Sequence, residues 1–445
     1  MHGLLRRVVD VEPAEVPAVL LSALYFFFTL ASYFVLRPIR DELGVAAGVR
    51  GLPWLFAGTL AAMLVAQPLY AALVVRYPVR RFIGITYQFF VVNLLLFYAA
   101  ARLGADEKLT GRLFWIWTSV MSLFVVSVFW SVMVDIFRSP QAKRLFGFIA
   151  VGGTLGSLAG SATTALLVKT IGTVNLLLVS AVLLEIAAMM VTTLAGRFSR
   201  GAPDADGTPD RADSEQVDLR GRPIGGSLWS GITHIAQSRY LSAVALFLAL
   251  YTFGSTVLYF TQTEVIGNYF TDREARTAIL ARMEFATQAL TALTQAFLTG
   301  RLIRTFGLPV ALAIMPALSM IGFAALGLSM WGVTPLLATF VAFQVLRRAM
   351  NFSITNPSME ILFTVVSRED KYKAKNFIET FVYRAGDQLA AWGYAGLALV
   401  GLGLAAISWM SVPIAGLFLA IGLWLGKRQQ ELARDRAPIR ITDVG

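Results

Sequence analysis

Four arginines stand inside or at the rim of long apolar stretches, where a charge needs a reason. Arg37 and Arg40 lie in SYFVLRPIRDELG (32–44), Arg348 in FQVLRRAMNFSITNPSME (343–360), and Arg384 in the apolar run 377–400. A guanidinium is a planar fork of five donors that matches carboxylate and phosphate. A charge near the bilayer centre costs about 3 kcal/mol on insertion scales, so it faces protein or a wet cavity. Anion binding is the chemistry these residues could do. Helical spacing puts Gln344, Arg348, Asn351 and Thr355 on one face. A structural ion pair with Glu360, Glu379 or Asp387 is the competing use of Arg348. Tyr33, Tyr259, Trp117 and Trp130 could stack on a ligand or simply pack.

The acidic residues of the same stretches are few. Glu284, Gln288, Thr291 and Gln295 form a polar stripe that a lipid-facing surface would not keep. Glu185 stands alone in its span, and Asp387 with Gln388 follows Arg384 at spacings of three and four, which can neutralise it. Glu185, Glu284 and Asp387 are therefore the candidates for carrying a proton.

Other chemistries are excluded by what is missing. The chain has 0 Cys, which removes disulfides, thiolate nucleophiles and iron–sulfur ligation. Its two histidines, His2 and His234, lie outside the apolar runs, so no metal site and no cofactor is expected. Gly152, Gly156 and Gly160 recur at spacing four, but no Gly-Lys-Ser/Thr follows, so they read as a helix-packing ridge and not a phosphate loop. No HExxH, paired aspartate or Ser/His arrangement supports a membrane enzyme acting on lipid-linked substrates. The expectation is not an enzyme.

The elements that must position these residues are membrane helices. Of 445 residues, 57% are hydrophobic and 15% charged, against about a quarter charged in soluble proteins. Apolar spans cover 16–36, 54–75, 82–101, 113–137, 148–168 and 174–195, then 241–263, 285–303, 308–331, 335–364, 377–400 and 404–426. The predicted fold is an all-α polytopic membrane protein with twelve transmembrane helices in two six-helix halves. Residues 1–196 form the first bundle and 227–445 the second, with a basic tail; the polar, Pro- and Gly-rich stretch 197–226 is a cytoplasmic linker. That linker is too short and too polar for a sensor module. An interfacial amphipathic helix is expected around Leu228, Ile232 and Ile235.

Lys and Arg fall mostly on one side, at RYPVRR, RSPQAKR and SREDKYKAK, so both termini are expected in the cytoplasm of a bacterium, with the protein in its inner membrane. The net charge of +11 then reflects loops facing anionic lipid headgroups, and no nucleic-acid partner is expected. Six plus six spans about one linker resemble the major facilitator transporters.

Three blocks are similar to a narrower family. YFVLRPIRDELGV (33–45), FWSVMVDIFRSPQAKRLFGFIAVGGTLGSLAG (129–160) and NFSITNPSMEILFTVVSREDKYKAKNFIETFV (351–382) resemble the non-mitochondrial ATP/ADP translocases of plastids and intracellular bacteria. The resemblance implies a nucleotide-type antiporter whose exchange rests on basic residues, here Arg40, Arg348 and Lys375, and on two buried glutamates. The places of those glutamates fall on Thr118 and Tyr259. Losing two acids leaves the path more positive and favours a smaller anion held by Arg37, Arg40 and Arg348, with weak ATP/ADP exchange. The expected protein is thus a monomeric secondary transporter of an anionic solute, a nucleotide or another phosphate or carboxylate compound, working by alternating access. Its substrate candidates are Arg37, Arg40, Arg348, Asn351, Lys375, Arg384, Tyr33, Tyr259 and Thr118. The alternative is a proton-coupled carrier or exporter of a non-nucleotide solute.

Overall fold

The structure, a computed structural model, describes residues 12–13, 15–76, 79–137, 139–198, 235, 237–366, 375 and 377–435, without the side chains of 67–82, 138–140, 142–143 and 379–380. Linker positions 199–226, the expected interfacial segment at 228–234 and the basic loop at 367–374 lie outside the described residues. Among the described residues every regular element is helical. Helices α1 (Val16–Arg76), α2 (Val79–Arg102), α3 (Glu107–Ile136) and α4 (Ser139–Phe198) precede the linker. After it come α5 (Arg239–Tyr269), α6 (Arg273–Thr294), α7 (Gly300–Ser329), α8 (Leu336–Met350), α9 (Asn356–Leu362), α10 (Tyr383–Leu399) and α11 (Leu404–Asp435).

Among the described residues, seven helical stretches are long and apolar enough to cross a membrane. Three of these, Val16–Ala66, Arg144–Phe198 and Arg273–Ser329, are far longer than the rest. Each is interrupted by a glycine with non-helical backbone: Gly48 at φ 69°, Gly172 at φ 79° and Gly307 at φ 77°. That left-handed conformation is open to glycine and costly for a residue with a Cβ, so the glycine sets where each stretch breaks. Large apolar side chains such as Trp54, Leu166 and Leu389 remain exposed on the outer faces, as lipid contact requires.

The chain divides into two compact units, Met1–Thr208 with Ile266–Gln288, and Pro209–Val265 with Ala289–Gly445. In the first unit the most extensive packing is between α1 and α4. Gly152, Gly156 and Gly160 make it possible, since a Cβ on each would collide with the backbone of Ala23, Phe27 and Ala31. Both sets recur at spacing four, so the two helix backbones meet along a seam. Polar contacts lock the seam: Ser32 and Ser180 hydroxyls bond at 2.8 Å, and the Thr164 hydroxyl donates to the Val35 carbonyl at 3.0 Å. Phe26 stacks on Phe129 at 3.9 Å, and Tyr25 and Tyr87 share a 2.6 Å hydrogen bond. Arg37 and Arg40 follow on α1, so this packing fixes where they stand.

In the second unit α7 packs most extensively on α11. Gly426 admits Pro309, and Gly422 admits the Leu312 backbone. Phe247 meets Phe418 at 4.5 Å and Phe323 meets Phe343 at 5.1 Å. Two π-helical turns, Gln295–Thr299 and Asn351–Thr355, bond each other: the Gln295 amide donates to the Phe352 carbonyl at 3.1 Å, and the Thr299 hydroxyl to the Ser353 carbonyl at 3.0 Å. Widened turns leave backbone carbonyls short of partners, and these contacts supply them.

Candidate transport site

In the first unit, α1 and α6 exchange charges along their length. Arg37 reaches Glu284 at 3.2 Å, and further along α1 the almost fully buried Glu42 takes Arg276 at 2.8 Å and Arg273 at 3.3 Å. Arg273 also bonds Glu107 at 3.0 Å. The polarity is inverted between the two ends: α1 gives the cation at one and the anion at the other. Arg40 is turned aside, with two nitrogens on Asp41 at 3.1 and 2.8 Å and its guanidinium 5.2 Å over the Trp115 ring.

Arg37 and Glu284 form the centre of a longer chain of contacts. The Gln288 amide donates to Glu284 at 2.8 Å, and the Ser157 hydroxyl donates to Gln288 at 3.3 Å, which links the seam glycines' own helix to the pair. The Glu284 side chain is 2% exposed and that of Arg37 17%. Only one Arg37 nitrogen bonds the carboxylate, and its buried Nε has no hydrogen-bond partner. A guanidinium fork with open donors and slight access to solvent can take a bidentate anion. Of the stripe that includes Glu284, Gln288 and Thr291 are buried and Gln295 is exposed.

The other first-unit candidates are placed as follows. Thr118 is completely buried and its hydroxyl donates to the Phe114 carbonyl of its own helix at 2.8 Å. That hydroxyl is spent locally and, among the described residues, reaches no other helix through a hydrogen bond. Tyr33 is half-buried and packs edge-on to Phe34. Glu185 accepts both amide hydrogens' worth of contact from Gln88, at 3.0 and 2.9 Å, on an exposed face apart from Arg37.

In the second unit Arg348 is half-buried, and the buried Asn351, which opens a π-helical turn, has no hydrogen-bond partner at Oδ1. Tyr259 is half-buried on α5. Lys375 pairs with the exposed Glu360 at 2.7 Å and lies 5.6 Å from the Phe363 ring. Arg384 covers its neighbour Tyr383 at 5.7 Å, while Asp387 accepts from the Thr256 hydroxyl at 3.0 Å. Arg347, adjacent to Arg348, is the more buried of the two and bonds only neutral oxygens. The sequence pattern singles out Arg348 over its equally mid-span neighbour Arg347 and does not mark Glu42, Arg273 or Arg276. The spacing of three between Arg273 and Arg276, opposite an acid-bearing α1, was the available signal for the latter group. Among the described residues no cluster of His, Cys, Asp or Glu could hold a metal ion.

The sequence profile of the family described as TLC ATP/ADP transporter matches residues 110–432. The chain is also 22% identical to "ADP,ATP carrier protein 2" of Chlamydia pneumoniae, over 92% of this chain and 88% of that one. Among solved structures, an inward-facing bacterial homologue of the iron transporter ferroportin aligns with a TM-score of 0.63 at 10% identity, covering 94% of this chain and 100% of that one. An auto-inhibited POT family peptide transporter aligns with a TM-score of 0.62 at 15% identity, covering 94% and 97%. The nucleoside transporter NupG gives 0.60 at 12% identity, covering 93% and 99%. These likenesses establish a fold of the major facilitator kind.

Proposed function

Because this chain belongs to the TLC ATP/ADP transporter family, we propose that it carries a phosphorylated anion across a membrane, with nucleotides as the class the family points to. It is a multi-pass membrane transporter and not an enzyme. Twelve passes are the reading that fits the helix lengths. About 20 residues span a bilayer, whereas three of the seven stretches hold 51, 55 and 57 residues and break at a glycine. Counting each of those three twice gives ten passes, and α8 with α9, and α10, which are short as single helices at 15, 7 and 17 residues, bring the number to twelve. On this reading two six-helix halves, 1–196 and 227–445, joined by 197–226, work by alternating access. The Lys and Arg bias of the loops supports cytoplasmic termini in a bacterial inner membrane, and the carrier is taken to act as a monomer.

The observation that carries the proposal is Arg37. Its guanidinium keeps open donors, is slightly accessible, and already holds one carboxylate by a single contact. A phosphate oxygen pair would replace Glu284 on that fork, and Glu284 would then be the carboxylate whose charge follows the substrate. Glu284 is in this way a better coupling candidate than Glu185, which lies on an exposed face, or Asp387, which is bonded to Thr256. Arg40, Arg348, Asn351, Arg384, Lys375, Tyr33 and Tyr259 remain proposed substrate contacts, with Lys375 engaged by Glu360.

A second reading is favoured by Thr118. With a buried, self-bonded hydroxyl at the place of a family glutamate, the anion would be smaller than a nucleotide, such as phosphate or a carboxylate. Thermal unfolding of the purified protein with ATP, ADP or inorganic phosphate separates the two, because a ligand of the native state raises its stability. Stabilisation by ATP or ADP supports the first reading and by phosphate alone the second. No stabilisation by any of them contradicts both.

A further inference from the structure

Arg347 raises a problem that the transport site does not solve. It is 3% exposed. Its Nε donates to the Ser319 hydroxyl at 3.1 Å, Nη1 to the Ser255 hydroxyl at 2.9 Å, and Nη2 to the Tyr251 carbonyl at 3.1 Å. The Tyr251 ring lies 5.6 Å from the guanidinium carbon. All these partners are neutral, and among the described residues no carboxylate pairs with it. Asp387, the buried acid of the same unit, is bonded to Thr256 instead. A buried cation without a counter-charge is normally paired or neutralised, because low-polarity surroundings penalise an isolated charge heavily.

Beside this guanidinium is a cavity of about 10 Å³, bordered by Arg347, Gly254, Ser319, Ser411 and the rings of Phe323 and Phe418. That is room for one water-sized particle. Gly254 helps create the space, since a Cβ there would lie 3.0 Å from Nη2. Of the five guanidinium hydrogens, three are used by the bonds above, which leaves one on each Nη nitrogen. The site therefore offers a fixed positive charge, two spare donors and space for a single atom.

We propose that the second unit holds a monatomic anion, chloride under ordinary conditions, in the cavity beside Arg347. A halide is only a little larger than a water molecule and needs donors alone, which the guanidinium supplies, whereas phosphate, nitrate or a carboxylate is too large. The ion neutralises the arginine within the fold and is distinct from the transported anion, whose receptor Arg37 already has a carboxylate beside it.

The test uses the full chain purified in detergent, with thermal unfolding followed in sodium chloride, sodium bromide and sodium gluconate at one ionic strength. Chloride and bromide raise the midpoint saturably, by roughly 5 °C when the site is filled, and gluconate does not. Ser411→Val, which adds bulk at the cavity wall, removes the difference between chloride and gluconate while Arg347 stays in place; Arg347→Met removes it as well. Anomalous diffraction from bromide-grown crystals of the unaltered protein shows a peak at the Nη nitrogens. Equal midpoints in all three salts, or water alone beside Arg347 in the bromide crystals, overturns the proposal.

Discussion

Arg37 in the first unit and Arg347 in the second are both arginines of membrane helices, yet they are held in opposite ways. Arg37 has a carboxylate at 3.2 Å, a side chain 17% exposed and an unpartnered Nε. Arg347 is 3% exposed, and hydroxyls and a carbonyl cage it on three nitrogens. A charge with one exchangeable partner and some access can serve a substrate that comes and goes. One that is buried and fixed by neutral groups serves the fold. Mid-span position alone therefore does not separate the two arginines; the partner's charge and the access do.

Several substitutions break or sharpen that contrast. Arg37→Gln has the largest expected effect: uptake falls by 100-fold or more, on the order of 3 kcal/mol of lost binding and turnover, and stability falls because the buried Glu284 loses the guanidinium that faces it at 3.2 Å. Adding Glu284→Gln removes the buried carboxylate charge as well, so the double variant melts closer to the unaltered protein than Arg37→Gln does, while uptake stays low. Uptake and melting temperature measured on the same preparations check both halves of the statement. Restored uptake in the double variant would place the pair in the fold and not in transport.

Arg347→Met ranks next and acts on the other property. Ser319, Ser255 and the Tyr251 carbonyl lose their donor, at about 1–3 kcal/mol for each group left unsatisfied. Yield and melting temperature drop, whereas uptake per folded molecule changes far less than in Arg37→Gln. Gly156→Ala follows: its Cβ collides with the Phe27 backbone, and overpacking of this kind costs about 1–3 kcal/mol. Because the seam places Arg37, uptake falls along with stability. Gly422→Ala in the second unit, where the nearest atoms are 3.0 and 3.1 Å away, gives a smaller loss of stability.

The smallest effect belongs to Glu15, just before α1. Burial pushes its carboxyl up, but the Glu12 N–H, the Gln141 amide and the Arg144 guanidinium together hold it below the ordinary carboxylate range. A lowered folded-state value means the ionised form is the stabilising one. Its contribution is complete above the ordinary carboxylate range and is lost as pH falls through the lowered value. Glu15→Gln removes only that part of the acid dependence, as thermal unfolding across the acid range would register.

Much of this was legible in the sequence. Apolar windows place the helices, and the spacing of Gly152, Gly156 and Gly160 identifies a packing ridge, though not that α1 is its partner. The stripe through Glu284 and Gln288 signals an inward face, but its pairing with Arg37, 247 positions away in the chain, depends on packing that no local pattern encodes. Arg347 and Arg348 are neighbours about 100° apart on a helix. Periodicity groups Arg348 with Gln344 and Asn351, yet the tertiary environment buries Arg347 more deeply. The crossed pairs of Glu42 with Arg273 and Arg276 were missed for the same reason.

The most direct test of the account is uptake by proteoliposomes, using radiolabelled ADP and inorganic phosphate, of the unaltered protein beside Arg37→Gln, Glu284→Gln and the double variant. The account predicts saturable uptake of at least one of these anions by the unaltered protein and its loss in both variants lacking Arg37. Uptake that survives unchanged without Arg37, or no uptake of either anion by the unaltered protein, would contradict it.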